Sequence, residues 1–441
     1  MNNTIKIFYS ENAPFVFFRD YLSVYPIDKD LAQKYEKKII SEEDIVDRYF
    51  EANKNLEPFT KANFPAKTSN LCLILTRKCT LRCHYCYAID QSGDDSEDMT
   101  FEIAKKAINV MLETNPDANG YGIVFFGGEP LLKIDLIRQI IGFCEKEITK
   151  KRKKFVGYSM TTNGTIINQS VLDLLKNNNI GLQISIDGIK ENHDKNRIYP
   201  SGAGSYDIIM EKIKLLKQNE IPFVIHSTFD PHIDLYDTIC FLEGLQIPFG
   251  YGFTIDAIDT DKEVTNYGNA NWVKIQESYD KLYHFYIDKI HNGGKIYCNN
   301  LLSCVSKIKN RIAKEYSCIS GKSTLSIMPN GTIIPCQNFQ RAPYFFQGNV
   351  LEIDHFQTCH YSCHVNTHSI CNNCWMKYLC GGGCYYEKYM INGNLVTPPK
   401  PKCKLFKIQT EFFLKLYVFI ETHNYIDQFC KSISNELIKN A

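Results

Sequence analysis

Three cysteines are spaced Cys79-x3-Cys83-x2-Cys86. Three thiolates in one short loop can hold three irons of a cubane and leave the fourth without a protein ligand, a vacancy that a four-cysteine electron-transfer cluster lacks. An open iron can bind and reduce a ligand, just as catalytic zinc keeps an open position. The alternative for the same residues is a structural zinc site completed by His84. A second set begins at Cys318 and Cys336, continues as Cys371-x2-Cys374-x5-Cys380-x3-Cys384 and closes at Cys403. Its C-x2-C pair is also a zinc-ribbon spacing. Between the two sets lies Gly127-Gly128-Glu129-Pro130. The glycines permit close backbone approach, and the carboxylate can pair with an ammonium group. Taken alone, the same four residues are an ordinary turn into a helix.

Elements of alternating type must position these groups. Short apolar runs at Leu71–Leu75, Gly122–Phe126, Phe155–Thr161, Ile180–Ile186, Phe223–Phe229 and Ile247–Ile255 read as strands. Amphipathic segments near 100–114, 131–149, 169–177, 206–218, 234–244 and 272–290 read as helices. Six strands alternating with helices predict an α/β fold with a parallel sheet, a partial (β/α)6 TIM-like barrel. Chemistry in such folds sits beyond the C-terminal strand ends. The motifs fall there: Cys79 follows the first strand, Gly127–Glu129 the second, Asn163 the third and Asp187 the fourth.

Residues 1–70 read as a small α+β module. Its runs Ile5–Tyr9 and Phe15–Tyr25 form a hairpin around Glu11–Pro14, and Ser41 caps a helix with an acidic first turn. Pro58 and Pro65 suit a linker. From about residue 310 the periodic pattern gives way to Cys, Gly and turn residues, so metal is expected to organise a region too poor in apolar patterning for a large core. Within it, Met328-Pro329-Asn330-Gly331 reads as a hairpin turn that returns Cys336 beside Cys318. A last helix runs from Leu405 to about Ile426. The expected domains are 1–70, 71–300 and 301–441.

A formal net charge of +1 over 441 residues gives no field that draws the chain to nucleic acid or an acidic membrane, so neither is an expected partner. No apolar stretch approaches the roughly 18 residues of a membrane span, and the opening MNNTIKIFYS lacks the pattern of a signal peptide. A cytoplasmic location follows. There, 18 cysteines point to metal rather than to disulfides. Cys72, Cys144, Cys240 and Cys430 sit in apolar-periodic surroundings and read as small buried hydrophobes. Cys359 and Cys363 read as spare thiols, a replacement ligand or a substrate contact.

The loop at Cys79, with Gly127–Glu129 and Ser185-Ile186-Asp187-Gly188 behind it, resembles the radical S-adenosylmethionine (radical SAM) superfamily over roughly residues 70–290. The resemblance implies one [4Fe–4S] cluster on Cys79, Cys83 and Cys86, whose open iron binds the amino and carboxyl groups of S-adenosylmethionine. It implies that Tyr85, Gly127, Gly128, Glu129, Asn163, Ser185 and Arg197 bind this cofactor. Tyr85 would lie near the adenine, and Ser185 and Arg197 would hold the ribose or carboxylate. The later cysteines resemble the SPASM domain, which implies two auxiliary [4Fe–4S] clusters. One is held by Cys371, Cys374, Cys380 and Cys403. The other is held by Cys318, Cys336 and Cys384, with a fourth ligand that is Cys304, another cysteine or a substrate thiolate.

Many SPASM-bearing relatives act on peptides, and the 1–70 module loosely resembles the peptide-recognition segment at the start of many such maturases, whose strands could accept a leader peptide as an added strand. The expected function is a ribosomal-peptide (RiPP) maturase installing a crosslink or thioether in a precursor peptide, with a reductant such as flavodoxin or ferredoxin. The alternatives are an anaerobic sulfatase-maturing enzyme and, from another class, a non-catalytic metal-stabilised binding protein. Gln337 stands after Cys336 where sulfatase-maturing enzymes carry an acidic base. No residue is singled out as a catalytic base.

Overall fold

The computed structural model describes residues 4–52, 59–61, 67–88, 97–151, 157–255, 267–357 and 363–425. The N-terminal apolar runs form three antiparallel strands in the order β1-β2-β3, namely β1 (Ile5–Ser10), β2 (Ala13–Phe18) and β3 (Ser23–Pro26). Glu11 and Asn12 take left-handed φ values of 49° and 64°, which suits the expected tight hairpin. The second run, expected as one strand, breaks at Leu22 (φ 47°) and folds back as β3. A single long strand would outreach its six-residue partner β1 and leave its distal backbone groups unpaired. Helix α1 (Lys29–Glu36) was not visible in the sequence. Helix α2 (Glu42–Ala52) starts at a reciprocal cap, in which Asp44 N donates to Ser41 Oγ at 3.2 Å and Ser41 N to Asp44 Oδ2 at 2.6 Å. Pro58 and Pro65 lie outside the described residues, as do Cys359 and Cys430.

The alternating pattern that follows builds the expected barrel. Strands β4 (Asn70–Ile74), β5 (Gly122–Phe126), β6 (Gly157–Thr162), β7 (Ile180–Ser185), β8 (Phe223–Phe229) and β9 (Phe249–Phe253) pair in parallel, in sequence order. The intervening helices are α3 (Phe101–Thr114), α4 (Ile134–Lys151), α5 (Gln169–Asn178), α6 (Lys190–Asn196), α7 (Tyr206–Gln218) and α8 (Leu235–Gly244). Two more, α9 (Trp272–His291) and α10 (Asn299–Lys309), follow β9. One face of the sheet buries Leu71, Leu73, Ile123, Phe125, Met160 and Leu182 in the core shared with these helices. By strand alternation the other face presents Thr161, Gln183, Ser185, His226 and Thr228.

The sheet does not end at β4. Strand β10 (Thr324–Ile327) lies parallel to it, with Leu325 opposite Leu71, and β11 (Ile333–Ile334) closes the edge in antiparallel fashion. The turn between them holds Gly331 at φ 87°, as the expected hairpin requires. The cysteine-rich region also holds an apolar cluster that its patterning did not show. Met328, Ile334, Phe339, Phe345, Tyr385 and Tyr386 form a small apolar cluster with Ile74. Helix α11 (Tyr385–Asn392) belongs to this cluster. The final helix, α12 (Lys400–Thr422), starts earlier than expected, with Pro401 in its first turn where a missing N–H costs nothing. It braces the N-terminal module: Lys6 meets Glu411 at 2.8 Å, and Ser10 Oγ donates to the Lys415 carbonyl at 3.3 Å. Among the described residues no helix is long and apolar enough to cross a membrane.

Candidate active site

The first cysteine loop leaves β4 and is pinned to the end of α6. Arg82 N donates to Ile198 O at 2.7 Å and His84 N to Asn196 O at 3.0 Å. Cys86 N donates to Cys83 O at 3.0 Å, closing a tight turn. Cys79 Sγ accepts from Leu81 N and from Asn163 Nδ2, each at 3.4 Å. Burial pushes both Cys79 and Cys83 up to about 12, so binding a metal there must release protons.

The glycine motif locks onto this loop. Gly128 N donates to Thr76 O and Glu129 N to Lys78 O, both at 2.8 Å. A Cβ on Gly128 would fall 2.2 Å from Lys78 O, and one on Gly127 (φ 154°) 2.5 Å from Thr76 O. Close approach is therefore the function of both glycines in this chain. Glu129 is fully buried. Its Oε1 accepts from Leu131 N (3.0 Å) and Thr162 Oγ1 (2.7 Å), and its Oε2 from Asn163 N (2.9 Å). Burial raises its carboxyl to about 7 against these three donors. A carboxylate has about four lone-pair sites, so Oε2 retains room for one further donor such as an ammonium group.

Asn163 is spent on the loop. Its amide nitrogen holds Cys79 Sγ and Thr80 Oγ1, while its oxygen accepts from Thr165 N at 3.0 Å. Arg197 and Tyr85 meet on Asp187. Arg197 forks onto the Asp187 carboxylate through Nε (2.9 Å) and Nη2 (3.1 Å), and the Tyr85 hydroxyl donates to the same group. The guanidinium lies 5.5 Å from the Tyr85 ring centre. Thr228 N donates to Asp187 Oδ1 at 2.9 Å, tying the cluster to β8. His193 supports it from behind: Nδ1 accepts from Asp187 N at 3.2 Å and Nε2 pairs with Ser205 Oγ at 3.0 Å. Ser185 is buried on β7, opposite His226 of β8. Asp187 was not among the expected site residues. A buried acid directly after a strand, ten residues before an arginine, was the available signal.

The second cysteine set surrounds two cavities. One, of ≈ 220 Å³, is lined by Cys371, Cys374, Cys380, Cys384 and Cys403. The other, of ≈ 370 Å³, is lined by Cys304, Cys318, Cys380 and Cys384. Cys336 feels the charges of Cys318 and Cys384, and burial pushes its thiol well up. Among the described residues no three His, Cys, Asp or Glu side chains close around a point as a single metal ion would require. Lys388 is fully buried, electrostatically coupled to Cys371, Cys380 and Cys384 and 3.4 Å from His368 Nδ1. Tyr87, next to Cys86, bonds Gln337 and neighbours Cys336 and Cys72. It joins the two sets, a link no spacing reveals.

The donor chemistry fits the groups that the resemblance implied. Three loop thiols, a buried carboxylate with an open lone pair and a fixed guanidinium could hold an iron–sulfur cluster with S-adenosylmethionine. Of the five thiols around the smaller cavity, Cys371, Cys374, Cys380 and Cys403 could supply the four ligands of a closed [4Fe–4S] cluster.

Comparison with known proteins agrees with this geometry. Residues 73–235 match the family profile described as the radical SAM superfamily. A cysteine-type anaerobic sulfatase-maturating enzyme of Clostridium novyi is 36% identical over 167 residues, covering 35% of this chain and 43% of that protein. An uncharacterized protein of Methanocaldococcus jannaschii, also 36% identical, is covered over 51% of its length. The chain thus spans about half, or less, of these two curated relatives. The radical SAM cyclopropyl synthase TigE of Paramaledivibacter caminithermalis is 25% identical over 358 residues, with 76% of this chain and 72% of that protein covered. Two solved structures share the fold. Native anSMEcpe with bound AdoMet and Kp18Cys peptide has a TM-score of 0.66 at 20% identity, covering 81% of this chain and 99% of that one. Streptococcus suis SuiB bound to precursor peptide SuiA has a TM-score of 0.52 at 14% identity, covering 91% and 99%.

Proposed function

We propose, from the premise that residues 73–235 are a radical SAM domain, that the whole chain is a peptide maturase which forms a crosslink or thioether in a ribosomally made precursor. The carrying observation is the joining of two thiol sets across Tyr87 and Gln337, with the Glu129 carboxylate beside the first. When bound, the cluster and S-adenosylmethionine supply an electron and a 5′-deoxyadenosyl radical that abstracts a substrate hydrogen.

This chain's residues do the rest. Cys79, Cys83 and Cys86 hold the first cluster, and Asn163 orients Cys79. Glu129 takes the cofactor's ammonium group on Oε2. Gly127 and Gly128 bring that carboxylate up to the loop. Asp187 fixes Arg197 and Tyr85 at the rim, where with Ser185 they contact the remaining polar groups of the cofactor. Cys371, Cys374, Cys380 and Cys403 hold one auxiliary cluster. Cys318, Cys336 and Cys384 hold the other, with Cys304 as its fourth ligand because it lines one cavity with Cys318 and Cys384. The module over residues 1–70 receives the leader of the peptide, in a cytoplasm whose flavodoxin or ferredoxin supplies electrons.

Sulfatase maturation is the second reading, favoured by the identity to the Clostridium novyi enzyme and the fold shared with anSMEcpe. Gln337 weighs against it, since an amide beside Cys336 cannot take a proton as a carboxylate does. The test is anaerobic reconstitution with iron and sulfide, followed by an assay for 5′-deoxyadenosine with dithionite. About 12 irons per chain, as three [4Fe–4S] clusters imply, together with deoxyadenosine formation, are expected. Cys83→Ala should abolish the cleavage. Tight zinc with no deoxyadenosine would leave a metal-stabilised binding protein.

A further inference from the structure

Helix α12 carries Lys400, Lys404 and Lys407, all exposed, at spacings of four and three residues. That spacing places them in one stripe along the helix. With Lys6 of β1 they rim a groove of ≈ 420 Å³ whose apolar floor includes Ile370 and Trp375. Lys6 is neutralised by Glu411 at 2.8 Å. Among the described residues no acidic side chain comes within ion-pair distance of Lys400, Lys404 or Lys407, and Lys404 reaches only over the Trp272 ring, at 4.5 Å. In a chain of net charge +1 this is a local concentration of uncompensated positive charge beside an apolar patch.

The groove shares a wall with the smaller thiol-lined cavity. Ile370, Pro398, Cys403 and Lys407 border both. Cys403 thus faces the cavity on one side and the groove on the other. A partner seated in the groove would therefore stand one side-chain layer from the cluster that Cys403 is proposed to hold. That proximity favours a redox partner over a substrate segment. Weak electron-transfer encounters bury less than about 1,200 Å² and rely on steering by opposite charge, which a short lysine stripe with a small apolar floor provides.

We propose that this face docks an acidic electron-transfer protein of the flavodoxin or ferredoxin class, making the auxiliary cluster on Cys371, Cys374, Cys380 and Cys403 a point of electron exchange. The inference rests on the function proposed above. The step moves one electron: the partner's reduced flavin or iron–sulfur centre loses it, the cluster gains it, and no bond forms or breaks.

The test uses the reconstituted full-length enzyme and its K400E/K404E/K407E variant. Each is mixed anaerobically with reduced flavodoxin in a stopped-flow instrument over a range of ionic strength. In parallel, a carbodiimide links partner carboxylates to nearby lysines for mapping by mass spectrometry. The variant should accept electrons at least about tenfold more slowly at low salt and lose the salt dependence of the parent. The cross-links should fall on Lys400, Lys404 or Lys407. Reduction by dithionite, which needs no docking, should be equal in the two proteins. Equal flavodoxin rates and salt slopes, or cross-links on another face, would overturn the docking site while leaving the radical SAM reading intact. Equal rates with loss of polyglutamate binding would reassign the groove to an acidic peptide and overturn it as well. A parent that takes up no iron and yields no deoxyadenosine with dithionite would defeat the radical SAM reading, and the docking face with it. Should the triple variant lose iron, K404Q/K407Q is judged by the same criteria.

Discussion

Asp187 gathers more of the site's polar groups than any cysteine does, holding Arg197, Tyr85 and the Thr228 amide at once. Removing its charge while keeping its shape isolates a buried guanidinium, which costs about 3–5 kcal/mol. Asp187→Asn should lower the urea stability of the apoprotein by an amount of that order and also reduce S-adenosylmethionine cleavage with dithionite. Loss of cleavage alone would make Asp187 a direct cofactor contact instead of the support for Arg197. His193 gives the site a pH signature. Burial and the Arg197 charge hold its imidazole at about 4, below the usual 6.5. A depressed folded value contributes stability that is complete above the unfolded pKa and is lost as pH falls from 6.5 through about 4. The apoprotein should therefore lose thermal stability between pH 7 and pH 5 more steeply than His193→Gln does, as read by calorimetry at matched ionic strength. The cysteine spacings and the Gly127–Glu129 turn stood out in the sequence, and the family resemblance, not spacing, suggested their roles. The Arg197–Asp187 fork did not stand out, because a helix intervenes and only folding sets the distance between the two groups.

At the scale of elements, the glycine turn after β5 and the cysteine loop after β4 behave as one interlocked piece. Gly128→Ala would drive a methyl group into the Lys78 carbonyl. Overpacking of this kind costs about 1–3 kcal/mol. The variant should bind less iron at the first site while the SPASM-like region keeps its iron, which Mössbauer spectra of 57Fe-reconstituted protein can separate. The six barrel strands were legible because each is a continuous apolar run bounded by turn residues. Strand β3, the pairing of the β10–β11 hairpin onto β4 and helix α10 were not, although the hairpin's turn at Asn330-Gly331 was. The strands have four, four and two residues, too few for a period to show, and they owe their conformation to the neighbours they pair with. The aromatic cluster around Phe339 and Tyr386 was hidden for a related reason: its members come from strands, short helical turns and α11, with no shared spacing.

For the whole molecule, three stretches distant in sequence are fastened into one body. Helix α12 crosses α9 and grips β1, while residues 324–334 complete the sheet that residues 70–74 begin. Truncation after residue 310 should therefore not yield a soluble radical SAM core. It would bare the edge of β4, an unpaired template for other chains, and the fragment is expected in the pellet when the full chain stays in the supernatant. The same parallel pairing bears on how the protein is made. A ribosome releases β4 early, yet one flank of that strand waits for a hairpin encoded far downstream, so folding cannot finish domain by domain behind the exit tunnel. Until that hairpin arrives, the cysteine loop hangs from a strand open on one side. Iron is best delivered late, once synthesis has ended.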